Sequence, residues 1–175
     1  MPVSRPTNIL ITGRPGIGKT TLIMRLAERL SDRTVAGFYT EEIRHGAHRQ
    51  GFRAVTFSGH TMTLAHVSLK GGPRVGRYGV DVSGFESLVL PELDRSCDLM
   101  LVDEIGKMEC YSSSFVAAVQ QALDGATQVV ATVAGKGAGL IPQVKTRTDV
   151  EIVEVTHSNR DGLPDILIGQ LASSC

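Results

Sequence analysis

The sequence predicts an α/β protein with a mostly parallel central sheet covered by helices on both faces. Short apolar runs alternate along the chain with segments of helical periodicity, which is the order of parallel strands joined by crossover helices. The apolar runs lack polar alternation, as is typical of strands buried on both faces. A glycine-rich loop separates the first apolar run from the first helical segment.

The first strand and the first helix flank that loop. Asn8 to Thr12 (NILIT) is a short apolar run that Gly13 stops, which predicts a buried strand. Beyond the loop, Leu22, Leu26 and Leu30 recur at helical spacing with charged residues between them, so a helix is expected there.

The stretch from about residue 35 to 82 predicts a β-hairpin-rich insertion. VAGFYTEEIR and GFRAVTFS are rich in aromatic and β-branched residues and flank a polar turn, so they predict a hairpin. A shorter strand is expected near Leu64 to Val67, and the loop KGGPRVGRYG follows it. A short helix is predicted from Phe85, with Pro91 limiting its length or kinking it.

The second half of the chain returns to the alternation of strands and helices. DLMLVD (98–103) predicts a strand, and SSSFVAAVQQALDG (112–125) a helix that serines cap and Gly125 ends. Strands are expected at 128–134 and 150–155, and helices from Leu140 to Arg147 and from Leu163 to Leu171. Ligands should bind at the carboxyl ends of the parallel strands.

Composition and charge narrow the possible functions. The 175 residues suit a single domain, 1–175, with the insertion inside it. Basic and acidic residues number 18 each, so neither nucleic acid nor a membrane surface is expected as a partner. Cys97, Cys110 and Cys175 form no C-x-x-C pair, which favours a reducing, cytoplasmic setting. We find neither a leader nor an apolar run near the ~20 residues of a membrane span.

The glycine-rich loop has the spacing of a phosphate-binding loop. It matches G-x-x-x-x-G-K-S/T at every fixed position. Its glycines let backbone N–H groups turn toward a β-phosphate, and the following helix presents its positive end. Lys19 is expected to reach the β- and γ-phosphates, and the Thr20 hydroxyl to ligate Mg²⁺. The alternative is a glycine-rich turn that only caps the helix. The predicted binding segment comprises Gly13, Arg14, Pro15, Gly16, Ile17, Gly18, Lys19, Thr20 and Thr21.

An acidic residue at the end of a second buried strand should complete the metal site. Asp103 is the candidate because an apolar run leads into it, and it would hold Mg²⁺ through a water. Glu104 can accept a hydrogen bond from a water in line with the γ-phosphate. The alternative is that Glu104 only caps or pairs at the start of a loop. Glu109 is expected to be solvated or to cap a helix.

The same stretch, LMLVDEIGKME, also matches the D-x-x-G of small GTPases through Asp103 and Gly106. A GTPase needs N-K-x-D to bind guanine, and the nearest segment, HSNRD, lacks the lysine and is one residue short. The β-rich insertion also stands where a GTPase has its switch loop. We therefore interpret the stretch as half of a hydrolytic site, in which Gly106 and Lys107 bring an amide or a cation toward the γ-phosphate.

Several blocks of the sequence together resemble one family. GRPGIGKTTLI, GFYTEEIR, GFRAVTFSG, RVGRYGVDVSGFE, VDEIGKME and VTHSNRDGLPDIL are similar to the thermophile-type nucleoside-triphosphatases, from about Asn8 to Leu171. The resemblance implies a three-layer, RecA-like P-loop fold and Mg²⁺-dependent hydrolysis of several nucleoside triphosphates. It also implies that Glu104 is the catalytic glutamate. The second nucleotide-binding segment would comprise Leu99, Met100, Leu101, Val102, Asp103, Glu104, Ile105 and Gly106.

Two further groups of residues are candidates for the site. Turnover should be slow unless a cation acts in cis, since an arginine finger typically adds about 10³ to 10⁵ in rate. Lys107, predicted to be catalytic, and Arg14 are the candidates for that cation. Asn159 and Arg160 follow the last strand, where a guanidinium can stack on any base, or they only form a turn and a helix cap. The insertion carries four arginines that could close over the phosphates, although a solvated surface position is expected for each: Arg49, Arg53, Arg74 and Arg77.

The residues predict a Mg²⁺-dependent nucleoside-triphosphate phosphatase, and the resemblance implies several triphosphates as substrates, which we expect to be ATP, GTP, CTP and UTP. A monomer is expected. Two alternatives remain open. One is a nucleoside or small-metabolite kinase that uses the same loop and binds its acceptor at the insertion. The other is a nucleotide-gated binding protein whose hydrolysis is incidental.

Overall fold

The computed structural model describes residues 8–173 as an alternation of strands and helices. The strands are β1 (Asn8–Gly13), β2 (Val35–His45), β3 (His48–Thr56), β4 (Thr61–His66), β5 (Arg74–Val75), β6 (Tyr78–Val80), β7 (Leu99–Ile105), β8 (Gln128–Val133) and β9 (Val150–Val155). The helices are α1 (Lys19–Arg29), α2 (Val82–Leu93), α3 (Ser113–Asp124), α4 (Leu140–Lys145) and α5 (Leu163–Ala172), with a 3₁₀-helix at Glu109–Tyr111. Cys175 and residues 1–7, which the search for a leader included, lie outside the described residues.

The strands form one nine-stranded sheet in the order β5-β6-β4-β3-β2-β7-β8-β1-β9. Strands β2, β7, β8, β1 and β9 pair in parallel, and β3, β4, β6 and β5 extend the same sheet as antiparallel strands. The predicted α/β fold with a mostly parallel central sheet and a hairpin-rich part is therefore confirmed. We refer to β2, β7, β8, β1 and β9 as the parallel core, and to β3 through β6 as the antiparallel extension.

Side-chain alternation along the central strands divides the interior into two cores, one on each face of the sheet. Leu99 and Leu101 of β7 pack with α1 and α5, whereas Met100 and Val102 pack with α2, α3 and α4. Both faces of β7 are apolar because both are covered by helices. The result is the predicted three-layer arrangement, with the sheet between two layers of helices.

Strand β2 belongs to both parts of the sheet. Its first residues, Val35–Phe38, pair in parallel with β7, and from Phe38 onward it pairs in antiparallel fashion with β3. Gly37 has a φ of 109°, and a Cβ there would lie 1.9 Å from the carbonyl oxygen of Leu101. Glycine thus permits the close approach of β2 to β7. The antiparallel extension consequently begins inside a strand of the parallel core.

Local signals set most element boundaries. The predicted serine cap of α3 is confirmed, since the Ser112 hydroxyl accepts a hydrogen bond from the Phe115 N–H at 2.9 Å. Helix α2 begins earlier than predicted because Asp81 caps it by accepting from Gly84 N–H at 2.9 Å. Helix α2 continues two residues past Pro91.

One prediction about this region was wrong. The segment expected to be a loop contains the short strands β5 and β6, which are too brief to give a periodic signal. Within residues 8–173, no helix combines the length and the apolar character that crossing a membrane requires.

Candidate active site

A cleft of about 1020 Å³ opens at the carboxyl ends of β1 and β7. Ligands of open α/β sheets bind at this edge. The first half of α1 and the loop before it form one wall, and the hairpin β2–β3 forms the opposite wall. The lining residues are Thr12, Gly13, Arg14, Pro15, Gly16, Gly18, Lys19, Thr20, Thr21, Thr40, Glu42, Arg49, Phe52, Asp103, Glu104, Ala134, Gly135, Lys136, Lys145 and Glu154.

The glycine-rich loop lines the cleft on the same wall as α1. Gly16 and Gly18 have φ values of 77° and 112°, which glycine adopts without strain. Gly18 is also the N-cap of α1, and no side chain caps this end. The first N–H groups of the helix are therefore open to an anion. The Lys19 ammonium donates to the carbonyl oxygens of Gly13 at 2.9 Å and Arg14 at 3.3 Å, so it lies across the loop.

Ile17 lies in the predicted binding segment but does not line the cleft. It is buried in the core shared by α1 and α5. A Cβ on Gly13 would lie 2.9 Å from its side chain. Ile17 therefore anchors the loop to the core while its neighbours face the cleft.

Asp103 sits at the bottom of the cleft with both carboxylate oxygens hydrogen-bonded. The hydroxyl of Thr132, on the intervening strand β8, donates to Oδ1 at 2.6 Å, and the hydroxyl of Thr20 donates to Oδ2 at 2.7 Å. The backbone N–H of Thr40 also donates to Oδ2 at 3.3 Å. Burial raises the pKa of Asp103, while these donors and Lys19 oppose that rise. Four elements thus converge on one carboxylate.

Glu104 enters the same cleft although it is adjacent to Asp103. Neighbouring residues of a regular strand point to opposite faces. Here the pairing of β7 with β8 shifts register between Val102 and Ile105, and both carboxylates line the cleft. Burial raises the pKa of Glu104, and the charge of Asp103 raises it further. A carboxylate with a raised pKa is a stronger proton acceptor.

The expectation that Glu109 is solvated or caps a helix was wrong. It begins the 3₁₀-helix and is 4% exposed. Burial, together with the charge of Glu104, raises its pKa to about 8. A Cβ on Gly106 would lie 2.8 Å from a carboxylate oxygen of each glutamate, so Glu104 and Glu109 flank the same turn. The sequence feature that could have indicated a place near the site is that the family-specific block DEIGKME ends at Glu109.

The oxygen atoms around Asp103 suit a hard divalent cation. The Thr20 hydroxyl and the Asp103 carboxylate are already in contact, and Mg²⁺ prefers oxygen ligands. Within residues 8–173, no cluster of three His, Cys, Asp or Glu residues is arranged to hold a metal. Few protein ligands are expected for Mg²⁺ beside a triphosphate, because waters and phosphate oxygens supply the others. The residues therefore fit the predicted metal.

Several residues of the predicted second binding segment do not reach the cleft. Leu99, Met100, Leu101, Val102 and Ile105 are buried in the two cores. Gly106 is buried as well, in the turn between the two glutamates. These residues position Asp103 and Glu104 through packing and backbone pairing, because their own side chains face helices.

Three other predicted residues lie apart from the cleft. Lys107 is exposed and lines a separate depression of about 460 Å³ with Arg74 and Tyr111, because the chain turns away at Gly106. Asn159 accepts from Thr156 N–H and donates to the Glu154 carbonyl, both at 2.8 Å, so its side chain closes a turn. Arg160 follows that turn and is exposed. Asn159 therefore forms a turn, which was the alternative to a contact with the base.

Other residues of the cleft were missed or misjudged. Arg49 lines the cleft, which fits the alternative that an arginine of the insertion lies near the phosphates, whereas Arg53, Arg74 and Arg77 do not line it. The loop after β8 contributes Lys136, and α4 contributes Lys145, whose ammonium donates to the Ala134 carbonyl at 2.7 Å. No motif in the sequence marks these positions, since they meet only through the order of strands in the sheet.

The fold and the cleft together define a class of protein. A glycine loop between a first buried strand and its helix, facing a second strand that ends in two carboxylates, is the arrangement of P-loop nucleotide-binding hydrolases.

Comparison with known proteins gives the family within that class. Residues 8–168 match the family model described as NTPase. The chain is 40% identical to the nucleoside-triphosphatase THEP1 of Thermotoga maritima over 93% of this chain and 94% of that protein. It is 42% identical to the human cancer-related nucleoside-triphosphatase over 91% and 94%, respectively. The crystal structure of THEP1 from Aquifex aeolicus superposes with a TM-score of 0.86 at 35% identity, covering 94% of this chain and 98% of that one.

The chain therefore belongs to the nucleoside-triphosphatase family that these matches define. The resemblance noted from the sequence blocks and the predicted enzyme class, a nucleoside-triphosphate hydrolase, are confirmed.

Proposed function

We propose that the protein is a Mg²⁺-dependent phosphatase that hydrolyses ATP, GTP, CTP and UTP to the diphosphate and inorganic phosphate. The observation that carries the proposal is the placement of two adjacent carboxylates in one cleft. Asp103 is hydrogen-bonded to the loop through Thr20 at 2.7 Å, while Glu104 lines the same cleft beside it. One carboxylate is thereby tied to the loop, and the other is free to accept from water.

The loop and Lys19 would hold the phosphates. The uncapped N–H groups at the start of α1 offer donors to phosphate oxygens, and the ammonium of Lys19 lies against the loop within reach of a bound phosphate. A Mg²⁺ ion held by Thr20 and Asp103 would supply charge neutralisation at the β- and γ-phosphates. The cleft therefore offers donors where negative charge accumulates during phosphoryl transfer.

Glu104 would orient the attacking water. Its carboxylate accepts a hydrogen bond from the water and takes a proton as the water oxygen bonds to the γ-phosphorus. The bond from that phosphorus to the β–γ bridging oxygen breaks, and the diphosphate leaves with the electron pair. The raised pKa of Glu104 suits this task, because a stronger base holds the transferred proton better.

Broad base specificity belongs to the same proposal, and turnover is expected to be slow unless a cation acts in cis. Arg160 does not line the cleft but is exposed after the last strand, where its planar guanidinium would stack on any base that extends out of the cleft. The N-K-x-D motif that selects guanine is not matched by HSNRD, which lacks the lysine. A monomer in the cytoplasm is also proposed, in keeping with the free thiols of Cys97 and Cys110.

Phosphate release from each of the four triphosphates, with Mg²⁺ and no added acceptor, tests the proposal. We expect release from all four. Glu104→Gln should lower kcat by about 10²-fold or more while triphosphate binding is retained. The control is Glu28→Gln, at an exposed carboxylate of α1, which should leave kcat unchanged. Release that occurs only after a nucleoside is added would reject the phosphatase in favour of a kinase.

A further inference from the structure

The antiparallel extension brings an arginine to the wall of the cleft that faces the phosphate loop. Strand β2 leaves β7 after Phe38, and at Thr40 its N–H donates to Asp103 at 3.3 Å. Two residues further along, Glu42 accepts from Nη1 of Arg49 at 3.0 Å. Thr40, Glu42 and Arg49 all line the cleft. The strand thus leads from the predicted metal ligand to the guanidinium.

The guanidinium of Arg49 is held on several sides. Its Nε donates to the Tyr78 hydroxyl at 3.0 Å, and its Cζ atom lies 5.0 Å from the centroid of the Phe52 ring. The Tyr78 ring centroid lies 5.8 Å away. Among residues 8–173, the hydrogen bonds that hold the guanidinium use Nε and Nη1, so Nη2 is the nitrogen left to face a ligand. An arginine fixed in this way loses little side-chain freedom when it binds an anion, and it keeps one edge of its donor fork available.

The stretch of β2 between its contact with Asp103 and its contact with Arg49 leaves room for a metal ion and a phosphoryl group. Thr40 and Glu42 are two strand residues apart, which corresponds to roughly 7 Å. Mg²⁺ binds oxygens at about 2.0–2.1 Å and usually keeps some of its waters. A γ-phosphate beside such an ion would lie between Asp103 and Arg49.

The other cations of the cleft lie on different walls. Lys19 lies across the phosphate loop, and Lys145 donates to the carbonyl oxygens of Ala134 and Gly135 at 2.7 and 3.1 Å. Arg14 and Lys136 are exposed on loops. Arg49 alone among these cations combines a place on the β2–β3 wall with a fixed orientation.

We propose that Arg49 acts in cis as the cation that stabilises the γ-phosphoryl group during hydrolysis, which rests on the phosphatase function proposed above. Negative charge spreads over the three equatorial oxygens as the β–γ bridging bond breaks. Arg49 Nη2 donates to one of these oxygens and gives up no proton. Tyr78 and Glu42 keep the guanidinium aimed into the cleft, so Arg49 is a catalytic residue and Tyr78 a positioning residue.

Arg49→Ala and Arg49→Lys test the proposal against a matched control, Arg53→Ala. Arg53 lies on the same hairpin and forms the same kind of surface pair, with Glu41 at 2.9 Å, but it does not line the cleft. We expect kcat to fall by about 10- to 100-fold in Arg49→Ala and less in Arg49→Lys, while Arg53→Ala stays within about twofold of the unmodified protein. Equal kcat values for Arg49→Ala and Arg53→Ala would overturn the assignment.

Binding of a transition-state analogue gives a readout other than turnover. Affinity for ADP with aluminium fluoride and Mg²⁺ should fall in Arg49→Ala by about as much as kcat does, whereas affinity for ADP alone should not change. Equal losses for the two ligands would mean that Arg49 only binds the nucleotide, and the proposal would fail.

Chemical rescue separates a catalytic role from a purely structural one. Millimolar guanidinium ion should restore part of the hydrolysis in Arg49→Ala, because it replaces the missing donor, and should not accelerate Arg53→Ala. Tyr78→Phe, which removes one tether from Arg49, should lower kcat by a few-fold with an unchanged melting temperature. No rescue together with no effect of Tyr78→Phe would reject the proposal. Absence of hydrolysis in the unmodified protein would instead reject the phosphatase function, so the two failures are distinct.

Discussion

The parallel core and the antiparallel extension contribute to the same cleft by different physical means. In the parallel core, Asp103 is held by buried apolar strands on both sides and by donors from Thr20 and Thr132. In the extension, Arg49 is held by a surface ion pair and by contacts with aromatic rings. Buried packing tolerates little change, whereas exposed ion pairs are worth little to stability. On the proposed mechanism, the core would fix the position of the reaction, while the extension would modulate its rate.

The largest effect should come from the phosphate loop of the core. Lys19→Ala should abolish hydrolysis and weaken triphosphate binding, because the ammonium that compensates the β- and γ-phosphate charge is lost. Phosphate release and titration with a fluorescent triphosphate measure the two effects. Arg29→Ala, at the last turn of the same helix and paired on the surface with Asp165, is the control. Substantial hydrolysis by Lys19→Ala would contradict the view that the core is essential for hydrolysis and the extension only modulates its rate.

The next effect should appear where the two regions join. Gly37→Ala would bring a Cβ to 1.9 Å from the Leu101 carbonyl oxygen and would force a positive φ on alanine. We expect a loss of about 3 kcal/mol or more in unfolding free energy, measured by urea titration.

The control for the junction is Gly59→Ala. Gly59 has a φ of 94°, but a Cβ there would meet nothing within 4 Å. Its cost should therefore be limited to backbone strain, about 1–2 kcal/mol. Equal costs for the two variants would show that β2 can separate from β7 at Gly37 without penalty.

A further effect concerns Glu109 and depends on pH. Its pKa of about 8 in the folded protein exceeds its ordinary value of 4.5, so the folded state binds the proton more tightly. The associated stability is complete below pH 4.5 and is lost as pH rises toward 8. Glu109→Gln removes this loss. The difference in unfolding free energy between Glu109→Gln and the unmodified protein should therefore increase with pH. The increase should be at most about 1.4 kcal/mol per pH unit in that window.

Urea titrations of both proteins at several values between pH 5 and pH 8 measure this difference. Glu28→Gln, at an exposed carboxylate, should show no such pH dependence. Parallel stability curves for Glu109→Gln and the unmodified protein would mean that Glu109 is ionised throughout the range.

The sequence predicts the parallel core and the phosphate loop well because their signals are local. A buried apolar strand, a fixed glycine spacing and a helical repeat each lie within a few consecutive residues, as in NILITGRPGIGKT. The bounds of β1, β7, β8 and β9 accordingly agree with the predicted strands to within two residues. Asp103 and Glu104 were identified because an apolar strand ends at them.

What the sequence does not reveal depends on contacts between distant segments. Arg49 reaches the cleft because β3 pairs with β2 in a register that shifts between Ile43 and Arg44, and no local pattern fixes that shift. Glu109 is buried because its 3₁₀-helix packs against α2 and α3, and no local pattern shows that packing, so the expectation from the sequence was wrong. Side chains from Leu99 to Val102 face the two cores because helices cover both sides of β7.

Strand β2 has a consequence for how nucleotides enter and leave. It runs unbroken from Val35 to His45, from the centre of the sheet to the tip of the hairpin. Because only Val35–Phe38 of β2 pair with β7, this wall can move as a lid only if the continuous strand bends beyond Phe38. Release of the diphosphate is thus expected to follow the loss of side-chain contacts at local rotamer rates, instead of the slower domain opening that limits many enzymes with closing loops.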